Sequence, residues 1–563
     1  MRKTLIRIKM EALNSFCLLV LLLITWSSAS HAQLTQNLTI GNPKALGLAH
    51  AITADPPGID SIHFNPAGLA KVKGRRRMIK VIGAKMTLST DFGDRHLEKA
   101  QTGSNGKTIE QTYVETYCGG VKTDTCRYPD DPFVENQSGS TSKPLLMLPG
   151  TGMTEVPFLA VPVAGIAIED PAYGWTYATA IYSPLAFGYE RDADDPAIYQ
   201  AQRLAMSRIT YFSPSIGFQI NDALAFGASI GFSWQGFGVE TGLRIAEPTL
   251  AFVAGTLDEL NGAAGEEIIP PQNAPYVHAA TLTVEVEDPL SFTFNIGLLW
   301  EPTEWLSFGL VYQSEGTASM SGDYKIEHSD RFAVGSQWLS QYNAIIEPLA
   351  GAGVNGKQVI EGTVDLELTS PAHFSVGTSV ILFPNLKINF DIKWTDYSSW
   401  DAFELNFDQE LDFLTQTSLG YALSAGYGDE DNVDPKKFVM KRENEAVVSW
   451  AIGFEYQAND RLVLRAGYEP RGSAIPDERF DLLAPLADAQ LYALGFGYQW
   501  DVYSRIDASI AYLTSSFTSN AGESQSLNST IPGQFAYNPY AYQDVSTTTT
   551  TAIIFALSYE EKF

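Results

Sequence analysis

Apolar and polar residues alternate one by one along several stretches of this chain. Between Leu386 and Trp394, the side chains of Ile388, Phe390, Ile392 and Trp394 fall on one side, and Asn389, Asp391 and Lys393 on the other. Val364, Leu366 and Leu368 alternate with Asp365 and Glu367 in the same way. So do Phe292, Phe294, Ile296, Leu298 and Trp300 against Ser291, Thr293, Asn295 and Gly297, and Tyr492, Leu494, Phe496 and Tyr498 against Ala493, Gly495 and Gly497. Successive side chains of a strand point to opposite faces, so a period of two predicts strands. A soluble sandwich and a membrane barrel both satisfy that pattern.

The connections separate the two. Short, turn-rich links recur at residues 170–174, 219–222, 301–305, 383–386, 457–460 and 500–504. Long polar segments at 191–206, 246–279, 331–361, 408–445, 471–489 and 518–547 alternate with them. Tight turns on one rim and long loops on the other describe an up-and-down barrel in an outer membrane. A first strand near 78–90 and a last at 550–563 bring the expected number to about fourteen. The last strand sets Ile553, Phe555, Leu557, Tyr559 and Phe563 on one face, broken by Glu561. Such an end suits recognition by a barrel-assembly machinery, and a charge near the rim costs little.

Composition agrees. Mean hydropathy is −0.06 and 45% of the 563 residues are hydrophobic. Arg2, Lys3, Arg7 and Lys9, an apolar run from Phe16 to Trp26 and Ser30-His31-Ala32 read as a secretory signal over residues 1–32, with the mature chain starting at Gln33. Beyond it no run of eighteen apolar residues predicts a membrane helix. The net charge of −28 argues against nucleic acid as a partner. Cys118 and Cys126, eight residues apart, suit a loop disulfide better than a redox or metal site in an exported chain. The histidines are scattered, so neither a metal site, a cofactor nor a catalytic centre is expected.

The ordered set "GLAHAITADPPGIDSIHFNPAGLA", "ITYFSPSIGFQINDALAFGASIGF", "FNIGLLWEPTEWLSFGLVYQSE" and "RLVLRAGYEPRGSAIPDERF" resembles the FadL-like family of outer-membrane transporters for long-chain fatty acids and other hydrophobic molecules. The resemblance implies an all-β fold: a transmembrane antiparallel barrel of about fourteen strands over residues 77–563, stoppered by a small N-terminal hatch over 33–76. Asn65, Pro66 and Ala67 match the hatch motif. Pro66 fixes its own φ and restricts Asn65, which makes a stiff turn, although an ordinary turn in a leader would read alike. Lys71, Lys73, Arg75, Arg76 and Arg77 follow and are expected to meet acidic rim or lumen residues.

Cargo capture is expected at two apolar loop stripes, Leu250, Val253, Leu257 and Leu260, and Trp338, Tyr342, Ile345, Ile346 and Leu349, unless these faces only cap the barrel. Pro184, beside Ser183 in the third strand, has no N–H to donate and falls where the family is expected to open sideways into the bilayer; a rim proline is the other reading. Arg244, Lys441 and Arg442 are candidates for a ligand carboxylate; if none serves, the cargo is an uncharged alkane or aromatic. The implied partners are a hydrophobic small molecule, outer-membrane lipid and the assembly machinery, with the protein acting as a monomer. A diffusion porin is the alternative function.

Overall fold

A computed structural model describes residues 38–99, 107–131, 133–157, 159–244, 249–265, 276–423, 430–485, 487–530 and 538–563. The expected signal segment lies outside them. Antiparallel strands close into a 14-strand barrel. In chain order these are β1 (Arg75–Arg95), β2 (Ser138–Thr141, resuming at Leu159–Asp170), β3 (Trp175–Ala180, resuming at Tyr182–Glu190), β4 (Arg203–Phe212, resuming at Ser215–Asn221) and β5 (Leu224–Arg244). Then come β6 (His278–Thr303), β7 (Leu306–Gln313 and Gly316–His328), β8 (Val359–Ser370 and His373–Phe383), β9 (Leu386–Asp396 and Ala402–Phe407) and β10 (Lys437–Lys441 and Ala446–Gln457). The last four are β11 (Leu462–Arg471), β12 (Ala489–Gln499), β13 (Ser504–Ser519) and β14 (Gln543–Lys562). The ladder closes where β14 pairs with β1, from Arg76 opposite Lys562 to Arg95 opposite Gln543. The turns and loops alternate as the sequence predicts.

Several strands are far longer than a bilayer requires. A tilted strand crosses in about 9–11 residues, whereas β5 runs for 21 residues and β6 for 26. The excess rises beyond the lipid on the side of the long loops, and there the hydrophobic pattern turns inside out. Low on β6, Phe292, Phe294 and Ile296 are exposed on the outside while Ser291 and Asn295 are buried within. Higher on the same strand, Val284 and Val286 are buried inside and Glu285 and Glu287 face outward. The upper part of β8 buries Val364, Leu366 and Leu368 and exposes Asp365 and Glu367.

The cause is the solvent on each side. Lipid requires apolar side chains outside; water above it requires polar ones. A one-residue slip in a strand exchanges its faces. The strands accomplish this at one level: a register shift between β5 and β6 at Ser233/Gln235, and interruptions of β7 at 314–315, β8 at 371–372, β9 at 397–401 and β10 at 442–445. Above that ring, Phe237, Val239, Val284, Met320, Val364, Phe403 and many neighbours form one internal apolar cluster.

Candidate functional site

Below the ring the barrel is filled by the N-terminal segment. Residues 38–74 fold as short helical turns, Pro43–Gly47, Gly58–Asp60, Ser61–Phe64 and Pro66–Lys71. Their side chains are almost all buried and touch strands around the whole circumference, which is possible only from inside. Asn65, fully buried, caps the last turn: its Oδ1 accepts from the Ala67 N–H at 3.2 Å, and its Nδ2 donates to Thr53 O at 2.8 Å and to Leu298 O on β6 at 3.1 Å. The Asn65-Pro66 turn lies flat on Gly227 and Gly297, where any Cβ would collide with Pro66 or with Asn65 Oδ1.

Inward polar residues of the strands hold this segment. Asp391 Oδ2 on β9 accepts from the Ile52 N–H (2.8 Å), the Thr53 N–H (2.8 Å) and the Thr53 hydroxyl (2.7 Å). Glu469 on β11 lies 3.1 Å from His50 Nδ1 and accepts from Lys393 Nζ and Arg471, each at 2.8 Å. Burial pushes the His50 imidazole below its ordinary value. Lys80 of β1 donates to Asp60 at 2.7 Å, and both are buried. The basic collar meets rim carboxylates: Lys71 with Glu301 at 2.7 Å, Lys73 with Glu169 at 3.0 Å, Arg76 with Glu560 at 2.7 Å and Arg77 with Glu561 at 2.6 Å. Glu561, the break in the terminal apolar run, is thus the partner of Arg77.

At the ring itself lies a cavity of about 90 Å³. His63 of the N-terminal segment, Tyr182, Pro184 and Leu185 of β3, and Arg208 of β4 line it, opposite Thr293 and Asn295 of β6. Ser183 and Pro184 form a bulge, since Tyr182 pairs with Thr210 but Leu185 with Arg208. Hydroxyls take over the backbone groups that the bend releases. The Ala180 N–H donates to Ser213 Oγ (2.9 Å) and Ala180 O accepts from it (2.7 Å). Ser183 Oγ donates to Leu185 O and Arg208 O, and Thr39 donates to Ser183 O, all at 2.9 Å. The third strand's bend is therefore tied directly to the N-terminal segment.

Arg208 is the residue that sequence reasoning missed. It is buried, its Nη2 donates to Thr293 Oγ1 at 3.1 Å, and its Nε has no partner; among the described residues no carboxylate lies within ion-pair distance of it. The three cations expected to meet cargo are placed elsewhere and already neutralised. Arg244 pairs with Asp131 at 2.9 Å, Lys441 with Asp431 at 2.9 Å, and Arg442 with Asp481. None of the three lines the cavity.

The two loop stripes have separate surroundings. The first lies on helix Thr249–Ala264, where Leu260 is exposed; the side chains of Leu250, Val253 and Leu257 lie outside the described residues. That helix meets the disulfide loop, Tyr117 OH lying 2.8 Å from Thr256 Oγ1. Cys118 and Cys126 are bonded. The second stripe is split between Asp330–Leu339 and Asn343–Ala350 by a tight turn, Ser340–Tyr342, that includes Tyr342. Ile346 packs inward with Ala350 and Val354, Trp338 is half-buried, and Tyr342, Ile345 and Leu349 face outward.

A model of the family described as outer membrane protein transport protein (OMPP1/FadL/TodX) matches residues 21–563. The chain belongs to that family. It is an outer-membrane barrel of Gram-negative type, and the family is one of transporters, not enzymes. Its fold is similar to that of a Pseudomonas aeruginosa FadL homologue (16% identity, TM-score 0.61, covering 95% of this chain and 100% of that one). It is also similar to the Ralstonia pickettii toluene transporter TbuX (12%, 0.54, 94% and 99%) and to the P. putida toluene transporter TodX (13%, 0.54, 93% and 99%). No curated protein matches by sequence.

Proposed function

We propose that this OMPP1/FadL/TodX family member takes up hydrophobic molecules passively, from water above the membrane to the bilayer beside the barrel. The observation that carries this reading is the inverted upper barrel above the lipid, apolar inside and charged outside. A porin for hydrated solutes needs the reverse, a polar water-filled lumen. An apolar shaft gains about 25 cal/mol for each Å² of cargo surface it takes from water.

The exposed Tyr342, Ile345 and Leu349 are the capture surface, where cargo first leaves water. It then descends to the ring cavity, whose present volume of about 90 Å³ is smaller than the ~150 Å³ apolar cavity that admits benzene. Occupation therefore requires the N-terminal segment to shift, which is the hatch role of residues 33–76 with Asn65-Pro66-Ala67 as its pivot. Sideways release follows at Ser183-Pro184, where Pro184 and Leu185 border the cavity and the bulge weakens the wall. Arg208 gives the cavity an unmatched buried positive charge, so the favoured cargo carries a carboxylate on an apolar tail. Uptake of labelled hexadecanoate, hexadecane and toluene by cells lacking and regaining this protein tests the reading. Protein-dependent uptake of hexadecanoate above the other two is expected; sugar conductance in liposomes with no hydrophobe uptake would overturn it.

A further inference from the structure

The second strand does something its neighbours do not. Thr141 pairs with Leu88 of β1, and Leu159 with Ala84. Residues 142–157 leave the wall between those rungs. Within them Lys143–Leu148 and Gly152–Glu155 form a hairpin, Leu145 opposite Glu155 and Met147 opposite Met153.

This hairpin lies outside the barrel, on the upper wall made by β4, β5 and β6. Leu145, Met147 and Met153 cluster with Ala205 and Trp234. Their seat is cut for them: a Cβ at Gly236 would lie 2.7 Å from Met147 Cγ, and one at Gly238 2.5 Å from Met153 Cγ. Two wall carboxylates pin it. Glu285 Oε1 accepts from the Met153 N–H at 2.9 Å, and Glu287 Oε2 accepts from the Gly150 N–H at 3.3 Å and from Trp234 Nε1 at 3.0 Å.

The place the hairpin vacates borders the bend in β3. Two rungs join it to that strand, Lys143 opposite Glu190 and Pro144 opposite Tyr189. Continued downward, the same register would set Leu145 to Leu148 against Gly188 to Leu185. Instead the chain crosses over Gly188, where a Cβ would collide with Leu145 O. Among the described residues no strand pairs with Tyr182–Gly188 on the side facing β2.

We propose that the Lys143–Glu155 hairpin is a prop for the side opening. Seated on Gly236, Gly238, Glu285 and Glu287, it keeps the upper part of the second strand off β3. Unseated, Leu145 to Leu148 zip onto Leu185 to Gly188 in the existing register and narrow the wall gap. An exposed strand edge beside a segment already in register is a template for that pairing. The inference rests on the reading of Ser183-Pro184 as the release site, but its first readout needs no cargo.

The test uses the full-length protein in outer-membrane vesicles, with a variant carrying Gly238→Val, Glu285→Gln and Glu287→Gln, spin labels at Thr151 and Thr283, and amide exchange across Leu185–Gly188. The expected result is a longer label separation, amide exchange slowed at least tenfold over Leu185–Gly188, and uptake of pyrene-labelled hexadecanoate reduced at least threefold. A second variant, Gly238→Cys with Met153→Cys, locks the hairpin down and should transport at the unmodified rate when oxidised. A hairpin that stays seated in the triple variant overturns the proposal, as does unchanged exchange at Leu185–Gly188 after release or lost transport in the locked form. Absence of uptake by the unmodified protein would count against the transport reading instead, leaving the exchange result to judge the prop.

Discussion

Asp391 and Thr53 are joined twice, by the Thr53 N–H at 2.8 Å and by its hydroxyl at 2.7 Å, at the point where the N-terminal segment touches the barrel wall. The Ile52 N–H adds a third bond to the same carboxylate oxygen. Replacing Asp391 with Ala strands the Ile52 and Thr53 N–H groups, each costing roughly 1–3 kcal/mol, while the Thr53 hydroxyl keeps Ser375 Oγ at 2.7 Å. The N-terminal segment of Asp391→Ala should therefore exchange its amides faster and yield to protease near residues 50–55, while the barrel stays resistant. Asp391→Asn, which keeps an acceptor, should fall between the two.

Arg208 offers a cleaner test of cargo chemistry. A hydrogen bond to a charged partner contributes about 1.5–3 kcal/mol, which is roughly 10- to 150-fold in affinity. Arg208→Met should lower binding of hexadecanoate by about that factor in a fluorescence displacement titration and leave pyrene binding unchanged. Loss of both together would remove the carboxylate role. Removal of an unmatched buried charge should also leave the barrel at least as stable to heat.

Ser213 carries the bend of β3 by serving both backbone groups of Ala180. Ser213→Ala leaves an N–H and a carbonyl without that partner, at a cost of roughly 1–3 kcal/mol each. Folded and unfolded barrels migrate differently on gels without boiling, and the temperature of that transition should fall. Ser213→Thr, which restores the hydroxyl, should recover most of it.

The Arg244–Asp131 pair is expected to be structural. Arg244 Nε also donates to Pro539 O at 2.9 Å, and the guanidinium stands 4.3 Å from the Tyr199 ring centroid, so one side chain ties three loops together. Breaking a buried pair by Asp131→Ala costs roughly 3–5 kcal/mol. Thermal resistance and amide protection over 196–201 and 538–542 should drop, with no change in the preference between hexadecanoate and pyrene.

His96 supplies a pH dependence above the membrane. Its two ring nitrogens lie 2.7 Å from Glu98 and from Asp544, and the hydrogen bond to Asp544, followed by that to Glu98, raises its pKa above the ordinary value. A raised imidazole pKa means the stabilisation is complete below the unfolded value of about 6.5 and disappears as pH climbs through the folded value. Amide exchange at residues 96–99, corrected for the intrinsic rate, should be slower at pH 6 than at pH 8.5. His96→Gln should abolish the difference.

Much of the barrel could be read from residue order. Strand number, the alternation of turns with loops and the shared polar face of Asn389, Asp391 and Lys393 all follow from a period of two and the placement of Gly, Pro, Asn and Asp. The Asn65-Pro66 turn was legible because proline restricts itself and its predecessor whatever surrounds it. The same local logic located the bend at Pro184, which lacks a donor. It was silent on which buried cation is left without a carboxylate. Arg244, Lys441 and Arg442 look as available in sequence as Arg208 does, because the carboxylates that neutralise the first three, Asp131, Asp431 and Asp481, come from other loops or from the far side of a turn.

Alternation fixes which side chains share a face but not which solvent that face meets. Val364, Leu366 and Leu368 have the same period as Phe292, Phe294 and Ile296, yet the first set packs inside the barrel and the second faces outward. That choice depends on height above the membrane and on the ring of interruptions that reverses the faces, and both arise only when the strands are stacked side by side in register. The outward excursion of residues 142–157 is likewise invisible locally, since its seat is built from Gly236, Gly238, Glu285 and Glu287, far along the chain. Local propensity sets strands and turns through each residue's own backbone and neighbours; burial, charge compensation and solvent are properties of the closed wall.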